Sequence, residues 1–190
     1  YPDKRWDWGR WGISENPNIT MEFIEKYIDK DWDWYISIST RSDITMEFID
    51  KYPDKKWNWL IISKNANITM EIIEKYPTKP WEWYFISENP NLTMQFIEKY
   101  PDKDWCWERI SSNKNITMEI IENNLDKPWD WTRGVSRNPN ITMEITKKYP
   151  NKPWNWNWIS NNDNLTMDFI EKYPNKPWYW KGISKNPNIT

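Results

Sequence analysis

The chain has 190 residues, of which 18 are Trp and none is His, and its 26 basic and 28 acidic side chains leave a net charge of −2. That balance excludes a strong electrostatic hold on duplex nucleic acid or on an anionic membrane, and no apolar run reaches the roughly 18 residues that would span a bilayer. Without His there is no Ser-His-Asp or Cys-His nucleophile and no His-held metal, and the single cysteine, Cys106, leaves no intrachain disulfide.

Self-similarity organises the whole chain. A Trp-x-Trp triplet begins at Trp6, Trp32, Trp57, Trp81, Trp105, Trp129, Trp154 and Trp178. An Ile/Leu-Thr pair places Thr at 20, 45, 69, 93, 117, 142, 166 and 190, in steps of 24 or 25. From each Thr to the next triplet is always 12 residues, whereas from triplet to Thr is 12, 13 or 14. An Ile/Val-Ser pair lies between, always seven residues before the Thr, from Ile13 to Ile183. The chain therefore reads as one array, residues 1–190, of about eight repeats, opening in mid-repeat at Tyr1-Pro2-Asp3-Lys4 and stopping at Thr190.

The segment after each Thr predicts a short helix. Thr20 is a suitable N-cap, and Ile19 with Ile24 has the spacing of a hydrophobic staple. Glu22 with Lys26 has the favourable i,i+4 order, repeated at Glu47–Lys51, Glu71–Lys75 and Glu144–Lys148. Met21, Ile24 and Tyr27 share a face that Phe23 widens. Pro53, Pro77, Pro101, Pro150 and Pro174 stop the helix.

A second helix is expected to open at residues such as Thr78, Asp126 or Asn151, with Pro80, Pro128 or Pro153 in its first turn and Pro177 in the last copy. The second Trp falls three residues before the Ile in five copies (Trp59–Ile62 is one) and four before it in Trp34–Ile38 and Trp131–Val135. Either spacing keeps one helical face, so the second Trp is assigned to the core. Trp8, five before Ile13, is the exception. The first Trp lies about 200° away round the helix. Hence Trp32, Trp57, Trp81, Trp105, Trp129, Trp154 and Trp178 are expected on a lateral face, as inter-repeat packing or as a ladder for stacking a glycan ligand. Alternation in Trp-x-Trp lasts only three residues, so a β-solenoid fits worse than an all-α helical-repeat solenoid of two short helices per repeat. Such helices are unstable alone and need neighbours to bury a continuous core.

The order Asn-Pro-x-x-Thr-x-Glu-x-(apolar), seen at Asn16-Pro17, Thr20, Glu22 and Ile24, resembles the leucine-rich variant (LRV) repeat. Asn89-Pro90 and Thr93 match as well, with Gln95 in place of the Glu. The resemblance implies an α-helix alternating with a 3-10 helix in a right-handed superhelix. Trp stands here where that family favours small aliphatics. The N-terminal cysteine cluster of some members is missing, so no metal site carries over. The Trp-rich pattern also resembles long repeat proteins of giant DNA viruses.

No catalytic set emerges. The recurring acids at Glu22, Glu47 and Glu71, and Asp33, Glu82 and Asp130 between the tryptophans, read as solvated positions, and the irregular segments Ile38–Asp43 and Gly9–Gly12 add no nucleophile with a base. Asn18, Asn67, Asn91, Asn115, Asn140, Asn164 and Asn188 match the N-glycosylation acceptor. The same spacing also follows from Asn closing a turn and Thr capping a helix, with the asparagines forming a ladder along one edge. The sequence therefore predicts a non-catalytic structural or assembly protein without cofactor or metal, part of a longer array or an end-to-end filament such as a virion or extracellular fibre. Its alternative is a solenoid that binds a protein or glycan on its concave or Trp-lined face.

Overall fold

The computed structural model describes residues 5–189. Residues 1–4 and the final Thr, where the sequence places a broken repeat at each end, lie outside the described residues. Among the described residues the fold is all-helical, with short helices recurring about every 24 residues and no strand. The chain divides into two compact units, Tyr1–Asn91 and Leu92–Thr190.

The first helix of each repeat has six residues: Met21–Lys26, Met46–Lys51, Met70–Lys75, Met94–Lys99, Met118–Asn123, Met143–Lys148 and Met167–Lys172. Local chemistry starts it. Thr20 Oγ1 accepts from the Phe23 amide at 3.2 Å, and Thr45, Thr69, Thr93, Thr117 and Thr166 do the same three residues on. Thr142 keeps the extended backbone of a cap without that bond. The apolar residue before each Thr is buried at Ile44, Ile68, Leu92, Ile116, Ile141 and Leu165, opposite buried Ile49, Ile73, Ile97, Ile121 and Ile170, with a buried Thr146 in that place opposite Ile141. This is the staple, and it carries much of the core.

The second helix begins later than the sequence suggests. Thr78, Asp126 and Asn151 lie in a tight turn. There the Lys79, Lys127 and Lys152 amides bond three residues back, and the Trp81, Trp129 and Trp154 amides bond two residues back at 2.8 Å. Pro80, Pro128 and Pro153 occupy the centre of that three-residue γ-turn, whose φ matches the proline ring. Helix starts instead at the second Trp: Trp59–Ser63, Trp83–Ile86, Trp107–Ser112, Trp156–Ser160 and Trp180–Ile183. The residue between the tryptophans is its N-cap. Asp33 accepts from the Ile36 and Ser37 amides, and Asn58 from Ile61.

Length variation is absorbed by one hydrogen bond. In the regular copies the Ile amide donates four residues back, as Ile62 to Asn58 at 3.0 Å and Ile86 to Glu82 at 2.9 Å. With one residue inserted it donates five back, Ile38 to Asp33 at 3.0 Å and Val135 to Asp130 at 2.7 Å. With two inserted, Ile13 donates six back to Asp7 at 2.7 Å. The carbonyl between the tryptophans always receives the bond, so the Ile keeps its place while the extra residues bulge outward. The turn is accordingly π-helical at Trp34–Ile38 and 3-10 at Ile13–Glu15 and Val135–Arg137. The sequence argument from helical faces made Trp8 an exception; by this bond it obeys the same rule.

Candidate functional site: the inter-repeat seam

Four contacts recur between successive repeats within each unit. The first is aromatic. Trp8 meets Trp32, Trp34 meets Trp57, and Trp59 meets Trp81 edge to face. In the second unit Trp107, Trp131 and Trp156 meet Trp129, Trp154 and Trp178 in the same way. Centroids are 5.0–5.3 Å apart and planes 77–89° apart. Each such pair adds about 0.5–1.5 kcal/mol beyond the area it buries. Trp32, Trp57, Trp81, Trp129, Trp154 and Trp178 are only 4–9% exposed, while Trp105 is half-buried.

This revises the core assignment from helical periodicity, which holds for Trp34 and Trp131, each 8% exposed. From Trp32 onward the first Trp is buried in every copy but that of Trp105, whereas Trp8, Trp59, Trp83, Trp107 and Trp156 are half-buried and Trp180 is exposed. The reason is a hydrogen bond that periodicity does not see. In all seven copies from Trp32 to Trp178 the indole Nε1–H donates to the backbone carbonyl five residues earlier, at 2.6–3.0 Å. That carbonyl belongs to the residue closing the first helix, Tyr27 or its equivalent, so the ring satisfies a helix end while it packs.

The second contact is made by the serine of the Ile-Ser pair. Ser136 Oγ donates to the Trp131 carbonyl at 2.6 Å and accepts from the Asn155 amide of the next repeat at 2.9 Å. Ser39 and Ser160 repeat both bonds, to Trp34 and Asn58 and to Trp156 and Tyr179. Ser39, Ser136 and Ser160 are fully buried.

The third contact is an asparagine ladder. The first Asn of each turn accepts from the amide two residues on, as Asn138 Oδ1 from Asn140 at 2.8 Å, which is an Asx turn. Its Nδ2 then donates to carbonyls of the preceding repeat: Asn138 to Ser111, Asn113 and Ile116, and Asn89 to Ser63, Asn65 and Ile68. The second Asn, the glycosylation candidate, does likewise. Asn91 donates to Ala66, Asn140 to Lys114, Asn164 to Pro139 and Ile141, Asn188 to Asp163, and Asn67 to Ser42. Asn115 bonds through its amide to Asn113, and Asn18 to Asn16. In Asn67, Asn91, Asn140, Asn164 and Asn188 the nitrogen that would carry a glycan is already a rung.

The fourth contact is electrostatic. Lys51 pairs with Glu25 and Lys75 with Glu47, both one repeat earlier, and Lys148 pairs with Glu122 while Lys147 takes Glu144. The expected within-helix pairs are thus exchanged for pairs across the seam at Lys51, Lys75 and Lys148. Lys51, with Tyr52, holds the Glu25 carboxyl below its ordinary range through their hydrogen bonds to it. In addition, Lys30, Lys55, Lys79, Lys152 and Lys176 lie 4.6–6.0 Å over the second Trp of the repeat before.

The ladder is interrupted once in the first unit. Arg41 and Asp43 replace its two asparagines and bind each other through two hydrogen bonds, 2.8 and 2.7 Å. A cavity of about 440 Å³ opens beside them, lined by Ser14, Glu15, Pro17, Ile36, Thr40 and Ser42 among others. No group of three His, Cys, Asp or Glu able to hold a metal occurs among the described residues, and none of their helices is long and apolar enough to cross a membrane. Compared with known protein families, curated proteins and solved structures, the chain matches none.

Proposed function

We propose that this is a non-catalytic structural repeat protein, a part of a longer array or of an end-to-end assembly. One observation carries the reading. Within each unit the second Trp of a repeat meets the first Trp of the next edge to face, from Trp8–Trp32 to Trp156–Trp178, so the same contact repeats on itself. Trp180, a second Trp that is 59% exposed, has the chemistry to form the same pair with a further repeat. A head-to-tail contact of that kind is heterologous and propagates unless it closes. The buried first-position rings spend their faces on the seam, which favours packing over glycan stacking. An LRV-like alternation of a Thr-capped helix with one helical turn is the family reading we favour, and a fibre on a virion or outside a cell would suit it. Sedimentation at rising concentration tests the assembly: the mass should grow for the native chain and stay constant for Trp180→Ala.

A second reading, a docking surface for a partner protein, is favoured by an exposed row in the first unit. Tyr35, Leu60 and Tyr84 hold equivalent places in three successive repeats and are 55%, 39% and 46% exposed. Their counterparts in the second unit are Glu108, Thr132, Asn157 and Lys181. If Tyr35→Ser, Leu60→Ser and Tyr84→Ser together abolish association and Trp180→Ala does not, that row is the contact surface.

A further inference from the structure

One repeat omits the side chains that close its seam. The first helix ends in Lys-Tyr at Lys26-Tyr27, Lys51-Tyr52, Lys75-Tyr76, Lys99-Tyr100, Lys148-Tyr149 and Lys172-Tyr173, but in Asn123-Asn124 in the remaining copy. Elsewhere the pair has defined work across the seam. Lys51 and Tyr52 both hydrogen-bond Glu25, and Tyr27 and Tyr149 lie 5.6 and 5.9 Å from Trp8 and Trp131 of the repeat before. The equivalents of Glu25 and Trp8 at this seam are Glu98 and Trp107. Asn124 turns its Nδ2 back to the Ile120 carbonyl at 2.9 Å. The turn lysine does not substitute: Lys127 lies 3.6 Å from Asp126, while its counterparts Lys152 and Lys176 lie over Trp131 and Trp156.

A cavity of about 480 Å³ lies beside Glu98 and Trp107, lined also by Pro101, Asp104 and Trp105 and by two lysines, Lys103 and Lys127. All of these residues belong to the unit Leu92–Thr190. We propose that this cavity binds an organic ammonium ion, best one that also carries an aromatic ring. The ammonium takes the lysine's place against the Glu98 carboxylate and the Trp107 face, where carboxylate charge and the ring quadrupole both favour a cation. The aromatic ring takes the volume of the missing tyrosine. Asn123 and Asn124 thereby convert a self-filled seam into a vacant one without disturbing the Trp129 indole, which still donates to the Asn124 carbonyl at 2.6 Å.

Tyramine, which joins a phenol to an ammonium, is the probe, and neutral tyrosol is its control. Titration of the whole chain should move the indole N–H resonances of Trp105 and Trp107 saturably with tyramine and about tenfold more weakly with tyrosol. Glu98→Gln, a surface change that keeps the fold, should erase the difference between the two probes. The double variant Asn123→Lys/Asn124→Tyr restores the regular seam and should abolish binding while melting no lower than the native chain. Absence of any tyramine shift, equal binding of tyrosol, or undiminished binding in the double variant would overturn the assignment.

Discussion

The ring of Trp131 meets that of Trp154 with centroids 5.1 Å apart and planes at 87°. One tryptophan closes the helix end of its own repeat through its indole N–H, and the other reaches it from the repeat before. Trp154→Ala should therefore remove a buried ring, a seam contact and a helix-end hydrogen bond together, at about 3–5 kcal/mol. Trp180→Ala, at the equivalent of Trp131 but exposed, should cost less than about 1 kcal/mol in the unassociated chain. Urea midpoints at constant slope separate the two.

Ser136 joins two repeats through one hydroxyl. Ser136→Ala leaves the Asn155 amide without its partner in a buried place, while the Trp131 carbonyl keeps the Ser136 backbone amide at 3.1 Å, and the loss costs about 1–3 kcal/mol. Ser184 makes only the donation to Trp180, at 2.8 Å, and is exposed. Its replacement by Ala should change the midpoint by less than about 0.5 kcal/mol.

The insertion rule can be tested by deletion. Removing Tyr35 converts the five-residue hydrogen-bond step between Ile38 and Asp33 into the four-residue step of the regular copies. The variant should keep its helical circular dichroism and melt at or above the native temperature. Removing Lys30 from the half-repeat of constant length breaks the turn that positions Trp32, and should lower the melting temperature sharply.

Acid sensitivity should be concentrated where the ladder is replaced. The Asp43 carboxyl is held below its ordinary range chiefly by the Arg41 side-chain hydrogen bond, against partial burial, which pushes the other way. A carboxyl depressed in the folded state adds stability above its unfolded pKa and loses it as pH falls through the folded value. Because Asp43 is half exposed the contribution is below about 1 kcal/mol. Melting curves taken from neutral to acidic pH should fall less for Arg41→Asn/Asp43→Asn, which restores the two asparagines, than for the native chain.

What the sequence discloses is what acts over a few residues. Thr20 and its equivalents declare the first helix because the hydroxyl reaches an amide three positions on. Ile24 declares the core because the staple is local. The second helix starts later than its proline suggests because a proline two residues after an Asp or Asn also suits a γ-turn, and only the bond from Trp81 to Lys79 distinguishes them. The role of Ser136 is not local, since the amide it receives lies in the next repeat. A serine recurring at a fixed distance from each Trp triplet was the available clue. The first Trp is buried where periodicity expects a lateral place, because periodicity weighs faces of a helix, whereas this Trp sits before the helix begins and is held by its nitrogen. The asparagine ladder was anticipated from turn chemistry, but not that both asparagines of a turn serve as rungs.

All of this depends on repeats that bury their tryptophans only against one another. The direct measurement is circular dichroism and indole emission of a peptide of residues 139–162, one repeat with no neighbour, beside the intact chain. The account predicts a peptide without helix signal and with emission typical of indole in water, while the intact chain is helical with shifted emission. A peptide that is helical, melts cooperatively and shields its tryptophans would contradict it.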